Sequence, residues 1–412
     1  MDPRPAPQRI SSRKRRAAAT LCLLAATVAG AAAGDSADVQ IHGFIGQGYV
    51  LTSDNGYYDP ATSDGGSLDF REIGLNVVCR PEERLRLGIQ IMSQDMGRVY
   101  NNELAIDWAN AVYTLPVRDW ETDFKVGRIR TGHGLYNDFR DLDLSRTSVF
   151  LPESVYYNSW RRLYIALDGI GTEVRSPETG LGTFGFGAVY GTQQIPADDP
   201  ILEVYEETVG SSDLESQWGV QLSWMPIEGL TIKQSLLVLK DWTIDFSPAD
   251  ATVEGSLLSD DSPTYEEWIS SLEYIQGRFS LASEFTYWSN EGVSTYTGAT
   301  PDTTLSDAWK QTGYGGYLSV GWEFTPSWKA QVLIQAHNMD YSGTYPEPYA
   351  DSDQTRAVGA AACWSITPHW LLKGEVQRVK GVYFLRSADQ PTPGEFESEY
   401  WTLFALKTSF DF

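Results

Sequence analysis

The sequence predicts an all-β fold: a closed antiparallel transmembrane β-barrel of about sixteen strands. Three observations predict it. Apolar and polar residues alternate with period two along most of the chain. The connections between these segments are short and long by turns. The last segment carries the alternation to an aromatic end at Phe412.

The amino terminus stands apart from that pattern. Arg4, Arg9, Arg13, Lys14, Arg15 and Arg16 precede an apolar run, Ala17 to Val28, and small residues Ala31, Ala32 and Ala33 follow. Basic, apolar and small, in that order, predicts a secretory signal peptide over residues 1–33. The run falls short of the about 20 residues of a membrane helix and has no stop-transfer flank. Leu21, directly before Cys22, is too large for a lipoprotein cleavage site. Cleavage before Gly34 removes six of the 31 basic residues and one of the 55 acidic ones, which leaves a net charge of about −29. Such an excess argues against nucleic acid as a partner and against attachment to an anionic lipid surface.

Residues 34–412 then form one barrel domain. Leu85, Leu87, Ile89 and Ile91 alternate with Arg84, Arg86, Gly88 and Gln90. Ala330, Val332, Ile334 and Ala336 alternate with Lys329, Gln331, Leu333 and Gln335. Strands with one apolar and one polar face give this pattern. The mean hydropathy of −0.30 suits such a barrel, because only every second residue meets lipid. The expected strands are 39–51, 69–79, 84–93, 103–113, 121–128, 163–174, 181–191, 215–225, 230–240, 265–275, 278–288, 312–324, 328–340, 356–366, 370–381 and 398–412.

A soluble sandwich alternates too, so the connections decide. Short ones include Arg80-Pro81-Glu82-Glu83, Gln276-Gly277 and Thr325-Pro326-Ser327; between them lie long polar segments such as 129–162, 241–264 and 289–311. Short periplasmic turns and long extracellular loops predict a membrane barrel, whereas a sandwich has no cause for that asymmetry. Trp224, Trp322, Trp328, Trp364 and Trp370 flank short turns, while Tyr265, Trp268, Tyr287, Trp288, Tyr317 and Tyr341 sit near long loops. Rings with an apolar body and a polar tip suit a membrane–water interface. Cys79 and Cys363 fall on distant strands, and no disulfide is expected.

In the final strand Tyr400, Thr402, Phe404, Leu406, Thr408, Phe410 and Phe412 share one face. An aromatic terminus after alternating apolar residues, here Phe404, Leu406, Phe410 and Phe412, resembles the signal read by the outer-membrane barrel assembly machinery. The whole layout is similar to the sixteen-stranded bacterial porins, in which the third loop folds into the lumen. The run Gly127-Arg128-Ile129-Arg130 through Gly134-Leu135-Tyr136-Asn137 and Arg140-Asp141, then Phe150-Leu151-Pro152, resembles a poorly characterised group of porin-like outer-membrane proteins. The resemblance implies a homotrimeric, non-enzymatic channel in the bacterial outer membrane, surrounded by lipid and lipopolysaccharide. It implies passive diffusion of small hydrophilic solutes and ions, with no cofactor. A channel specific for an anion such as phosphate or a carboxylate, and a non-channel adhesion or structural barrel, stand as alternatives.

The loop 129–162 is the expected constriction. It is unusually apolar for a loop, with Leu135, Tyr136, Phe139, Val149, Phe150, Leu151 and Val155, so it is expected to fold onto the barrel. Its candidate pore residues are Arg128, Arg130, His133, Asp138, Arg140, Asp141, Asp143, Arg146, Glu153, Arg161 and Arg162. Opposed charges at a constriction create a transverse field that selects ions; the same charges paired with one another only pin the loop. Arg84, Arg86, Lys125, Lys233 and Lys329 are the candidates for the facing lumen wall. The acidic outer loops, with Asp198, Asp199, Glu203, Glu206, Glu207, Asp260 and Asp261, suit divalent bridging to lipopolysaccharide less well than a solvated surface.

Other signals fail on context. Gly180-Leu181-Gly182-Thr183-Phe184-Gly185 fits a dinucleotide fingerprint, but a turn precedes it and strand alternation follows. Asp141 to Arg146 begins like a calcium loop and lacks the turn glycine. His42, His133, His337 and His369 lack metal-ligand spacing. A barrel-wall hydrolase would use His133 or His337.

Overall fold

The computed structural model describes residues 38–199, 201–202, 205, 208–247, 253–300, 303–343 and 354–412. The expected leader, and Glu203, Glu206 and Glu207, lie outside the described residues.

Sixteen strands form among the described residues: β1 (Asp38–Thr52), β2 (Ser67–Glu82), β3 (Leu85–Met96), β4 (Asn101–Val117), β5 (Trp120–Arg130), β6 (Ala166–Arg175), β7 (Thr183–Thr192), β8 (Val209–Met225), β9 (Leu230–Phe246), β10 (Leu257–Gln276), β11 (Phe279–Thr297), β12 (Thr304–Thr325), β13 (Trp328–Ser342), β14 (Gln354–Thr367), β15 (Trp370–Lys380) and β16 (Tyr400–Asp411). Each pairs antiparallel with its chain neighbours, and β1 pairs with β16, so the barrel is closed. Closure satisfies every edge, the condition for backbone in hydrocarbon. The seam ends on a reciprocal pair: Gly43 N–H donates to Phe412 O and Phe412 N–H to Gly43 O, both at 3.0 Å. A Cβ at Gly43 would lie 2.4 Å from the tip of the Phe412 ring, so the glycine leaves room for that ring.

The alternation sorts residues as expected. Phe404, Leu406, Phe410 and Phe412 are exposed on the outer surface, while Trp401, Leu403 and Ala405 are buried inside. Near the short turns Trp328 stacks on Trp364 at 5.4 Å and Phe184 on Trp224 at 6.1 Å, all on the outside. Cys79 and Cys363 are both free and buried.

Three expectations are corrected. First, β8 to β12 run well past their expected ends, so 241–264 and 289–311 are largely wall rather than loop. The extensions of β8 and of β10 to β12 are largely polar, which hides them from hydropathy, whereas Trp242, Ile244 and Phe246 keep the alternation in β9; the ladders continue through all of them. Asp260, counted as a loop carboxylate, lies on β10 and accepts from Tyr205 OH at 2.8 Å, Trp309 Nε1 at 2.9 Å and Ser294 Oγ at 3.0 Å. Second, Tyr265, Trp288 and Tyr317 turn inward instead of joining an outer girdle, because the third loop gives them an apolar surface to pack on. Third, residues 163–165 belong to a short helix, Arg161–Ile165, at the end of that loop.

The third loop, 131–165, lies inside the barrel. Leu135, Leu151, Val155 and Tyr156 pack against Ile269 and Tyr317 of the wall. Val149 and Phe150 pack with Tyr57, Tyr58 and Trp401. Leu163 and Tyr164 join Leu237, Leu239 and Tyr265. Each side chain so buried contributes roughly 1.5–3 kcal/mol against the entropy of ordering the loop.

Candidate functional site

The loop is fixed at its root by two arginines and two aspartates. Arg130 meets Asp107 at 2.7 Å and Asp141 at 2.5 Å; Arg161 meets Asp107 at 2.7 Å and Asp141 at 2.9 Å. Gln90 of β3 donates to Asp141 at 3.1 Å and to Asp107 at 3.3 Å. Burial pushes the Asp141 carboxyl up, but Arg161, Arg130 and Arg140 outweigh it and hold it below the usual range.

Asp107 is a site residue that sequence reasoning missed. Simple alternation with the exposed Tyr113 places it outside. The register moves from Gln90 opposite Trp108 to Ile91 opposite Ile106, so Asp107 is the extra residue of a β-bulge. A bulge re-aims a side chain, and here it turns a carboxylate into the lumen.

At its tip the loop is fixed to the far wall. Asp143 meets Lys407 at 2.7 Å, Arg146 at 3.0 Å and Lys373 at 3.3 Å, and accepts from Ser409 Oγ at 2.5 Å. Lys373 and Lys407 face each other in the β15–β16 register. Burial raises the Asp143 carboxyl, but Lys407, Lys373 and Arg146 together hold it well below the ordinary range. Lys407 also pairs with Glu72. Glu375 accepts from Val149 N–H at 2.7 Å and Phe150 N–H at 3.0 Å. Gln335 accepts from Ser154 N–H at 3.1 Å, and Glu284 from Leu135 N–H at 2.8 Å. These partners fall on inner-face positions of their strands, so their direction was legible but not what they hold.

The first long loop also grips the third. Glu153 accepts from Tyr57 OH at 2.7 Å and Tyr58 OH at 3.1 Å, and from Asn158 Nδ2 at 2.6 Å. Burial pushes the Glu153 carboxyl up to about 7 against these donors. His133 is buried and stacks on Tyr164 at 4.6 Å. Burial, with the Arg140 charge, pulls it down to about 3, so it is neutral.

The remaining expected residues scatter. Arg128 shares the face of the exposed Phe124 and Val126 and meets Asp168 at 3.2 Å, beside the exposed Ile170. It stands on the outer surface, not at the loop, because β5 keeps its alternation through that position. Arg162 pairs with Asp199 in the fourth long loop. Asp138 is exposed, and its carbonyl accepts from Arg130. Arg140 reaches Asn158 Oδ1 at 3.2 Å, its Nη1 has no hydrogen-bond partner, and it makes no ion pair among the described residues. Burial, then the Arg161 charge, pull it down to about 10, so it stays charged.

Two cavities flank the root cluster and share Asp141 in their linings. One, about 600 Å³ on the long-loop side, is lined by Arg71, Glu72, Arg140, Asp141, Arg146 and Lys407. The other, about 940 Å³ on the short-turn side, is lined by Arg86, Trp108, Lys125, Arg130, Asp138 and Asp141. Lys125 is paired with Glu173 at 2.7 Å. Lys233 shares the inner face of β9 with Ser235, which accepts from Gly134 N–H. Lys329 meets Glu323 at 3.5 Å, and Arg84 is exposed in the turn after β2. Among the described residues no group of three or more His, Cys, Asp or Glu side chains is arranged to hold a metal.

No family model and no curated protein sequence matches the chain. Solved structures do. The barrel is similar to the anion-selective porin from Comamonas acidovorans (TM-score 0.52, 13% identity, 92% of this chain and 100% of that one). It is similar to the outer-membrane channel DcaP of Acinetobacter baumannii (TM-score 0.54, 12% identity, 92% and 98%). It is also similar to the trimer form of OmpT, an outer-membrane protein of Vibrio cholerae (TM-score 0.54, 9% identity, 92% and 100%). At these identities the fold is what is shared: the chain is a sixteen-stranded barrel with the porin fold.

Proposed function

We propose that the protein is an outer-membrane channel for passive diffusion of small hydrophilic solutes and ions, assembled as a homotrimer. The observation that carries this reading is that Asp141 lines two cavities, one on the long-loop side and one on the short-turn side of the root cluster. A loop held across a barrel by buried charges narrows a lumen rather than sealing it with apolar side chains. The short turns then face the periplasm and the long loops the exterior. The barrel assembly machinery would insert the chain through its last strand, among lipid and lipopolysaccharide. The trimer form of the Vibrio cholerae protein favours the same assembly here. Liposomes containing the purified protein swell in isotonic monosaccharide under this reading; swelling no faster than that of empty liposomes contradicts it.

A second reading, anion preference, rests on Arg140. It is a buried guanidinium with no carboxylate partner, facing a cavity shared with Arg71, Arg146 and Lys407. Phosphate or a carboxylate solute would supply the missing charge.

A further inference from the structure

A third cavity lies on the other side of the loop and has a different chemistry. It measures about 1050 Å³ and sits on the long-loop side, between the third loop, the ends of β10 to β13, and the stretch from Tyr383 to Ala388. Its wall is a strip of nearly parallel rings. Trp160 lies 6.5 Å from Tyr265 at 27°, Tyr265 6.2 Å from Trp288 at 23°, Trp288 6.3 Å from His337 at 20°, and His337 3.8 Å from Tyr383 at 15°.

Two carboxylates line the same space, Glu153 and Glu267. Glu267 is 3% exposed and accepts only from neutral groups: Thr286 Oγ1 at 2.9 Å and Tyr265 OH at 3.2 Å. His133, 3.8 Å away, is neutral, so it brings no charge. Glu153 is held by tyrosine and asparagine donors alone. Neither carboxylate has a charged cationic partner among the described residues. The hydroxyl of Ser154, on the same wall, is buried without a hydrogen-bond partner.

Three aspartates elsewhere in this lumen are treated differently, whereas Glu284 and Glu375 likewise accept from neutral donors. Asp107, Asp141 and Asp143 each sit against two or more cationic side chains. The wall under Tyr383 therefore holds two buried carboxylates without a cationic partner beside a strip of aromatic rings, and Arg386, which also lines the cavity, is paired with Asp389. Aromatic faces attract cations through the ring quadrupole, most strongly where water is excluded. A buried carboxylate is stabilised by an opposite charge within about 4–6 Å.

We propose that this cavity is a binding subsite for an organic ammonium ion carrying a flat apolar group. The ammonium would meet Glu267, with the apolar group against Trp160, Tyr265 and Trp288. The subsite is distinct from the Arg140 cavity and does not depend on the channel reading.

The test is calorimetric titration of the folded, detergent-solubilised full chain with benzyltrimethylammonium, with phenylacetate, benzyl alcohol and maltose as comparators. Saturable one-to-one binding of benzyltrimethylammonium, at least roughly tenfold tighter than either aromatic comparator, is expected. Glu267→Gln weakens it roughly tenfold or more, and Trp288→Leu weakens it severalfold, in protein that retains the heat-resistant band of a folded barrel. Equal binding of phenylacetate or benzyl alcohol overturns the proposal, as does unchanged affinity in folded Glu267→Gln. Tighter binding of maltose assigns the cavity to a saccharide instead and also overturns it. The comparator ligands decide the matter on the unaltered chain should a variant fail to fold. Because binding is read without current, loss of the channel reading and loss of this one are distinguishable.

Discussion

Asp143 sits between two lysines that face each other across adjacent strands, 2.7 Å from Lys407 and 3.3 Å from Lys373. One loop carboxylate thus bridges a like-charge pair on the barrel wall, with Glu72 as the second anion beside Lys407, and fixes the loop tip to the last two strands. Removing its charge leaves two buried ammonium groups opposed. Asp143→Asn is expected to cost about 3–5 kcal/mol in urea unfolding. Replacing Lys373 by Met in the same chain should recover part of it. A loss below about 1 kcal/mol would mean that the tip is held by Glu375 and packing alone.

The bulge residue Asp107 balances Arg130 and Arg161 at the loop root. Asp107→Asn leaves Asp141 alone against two guanidiniums. Reversal potentials in a salt gradient should then move toward anion selectivity. Movement toward cations would show that the loop reorganises when the bulge loses its charge.

Arg140 and Arg128 separate the pore from the outer surface. Arg140→Gln is expected to lower the anion-to-cation permeability ratio roughly twofold or more. Arg128→Gln, on a residue paired with Asp168 outside the lumen, leaves the ratio unchanged. Equal effects of the two would place Arg128 in the ion path and contradict the observed β5 alternation.

Glu153 gives the loop contact a pH dependence. Its folded value, about 7, lies above the ordinary 4.5. The folded state therefore holds a proton that the unfolded chain has lost between these values. Stability falls as pH rises from about 4.5 to about 7 and is flat above, by about 3 kcal/mol at most. Glu153→Gln removes that slope. Wild type and variant unfolded side by side at pH 5 and pH 8 test it, and a gap that does not change between the two pH values contradicts it.

Much of the fold was legible because a barrel writes itself into sequence as a period. All sixteen expected strands overlap observed ones, and the faces of β13 and β16 are sorted as their alternation requires. The extensions of β8 and of β10 to β12 were not legible, since residues such as Ser259 and Asp260 pair in the ladder without hydrophobic contrast; that of β9 carries the alternation in Trp242, Ile244 and Phe246 and was legible. The inward turn of Tyr265, Trp288 and Tyr317 depends on a loop distant in sequence, so no local signal records it. In the loop, Arg130, Asp141 and Asp143 were named from their charge, and the structure brings them into two clusters. Their partners Asp107, Lys373 and Lys407 were not, because a bulge and long-range register decide those contacts. Arg128 has the same charge and lies two residues before Arg130, yet β5 keeps it on the outer face, while Arg130 at the strand's last position turns inward to Asp107 and Asp141.

Single-channel recording on the purified protein in a planar bilayer tests the central claim most directly. Stepwise conductance is predicted, with Arg140→Gln shifting its selectivity toward cations and Arg128→Gln leaving it in place. Protein shown to be folded and inserted, yet passing no current at any voltage of either sign, would contradict the account.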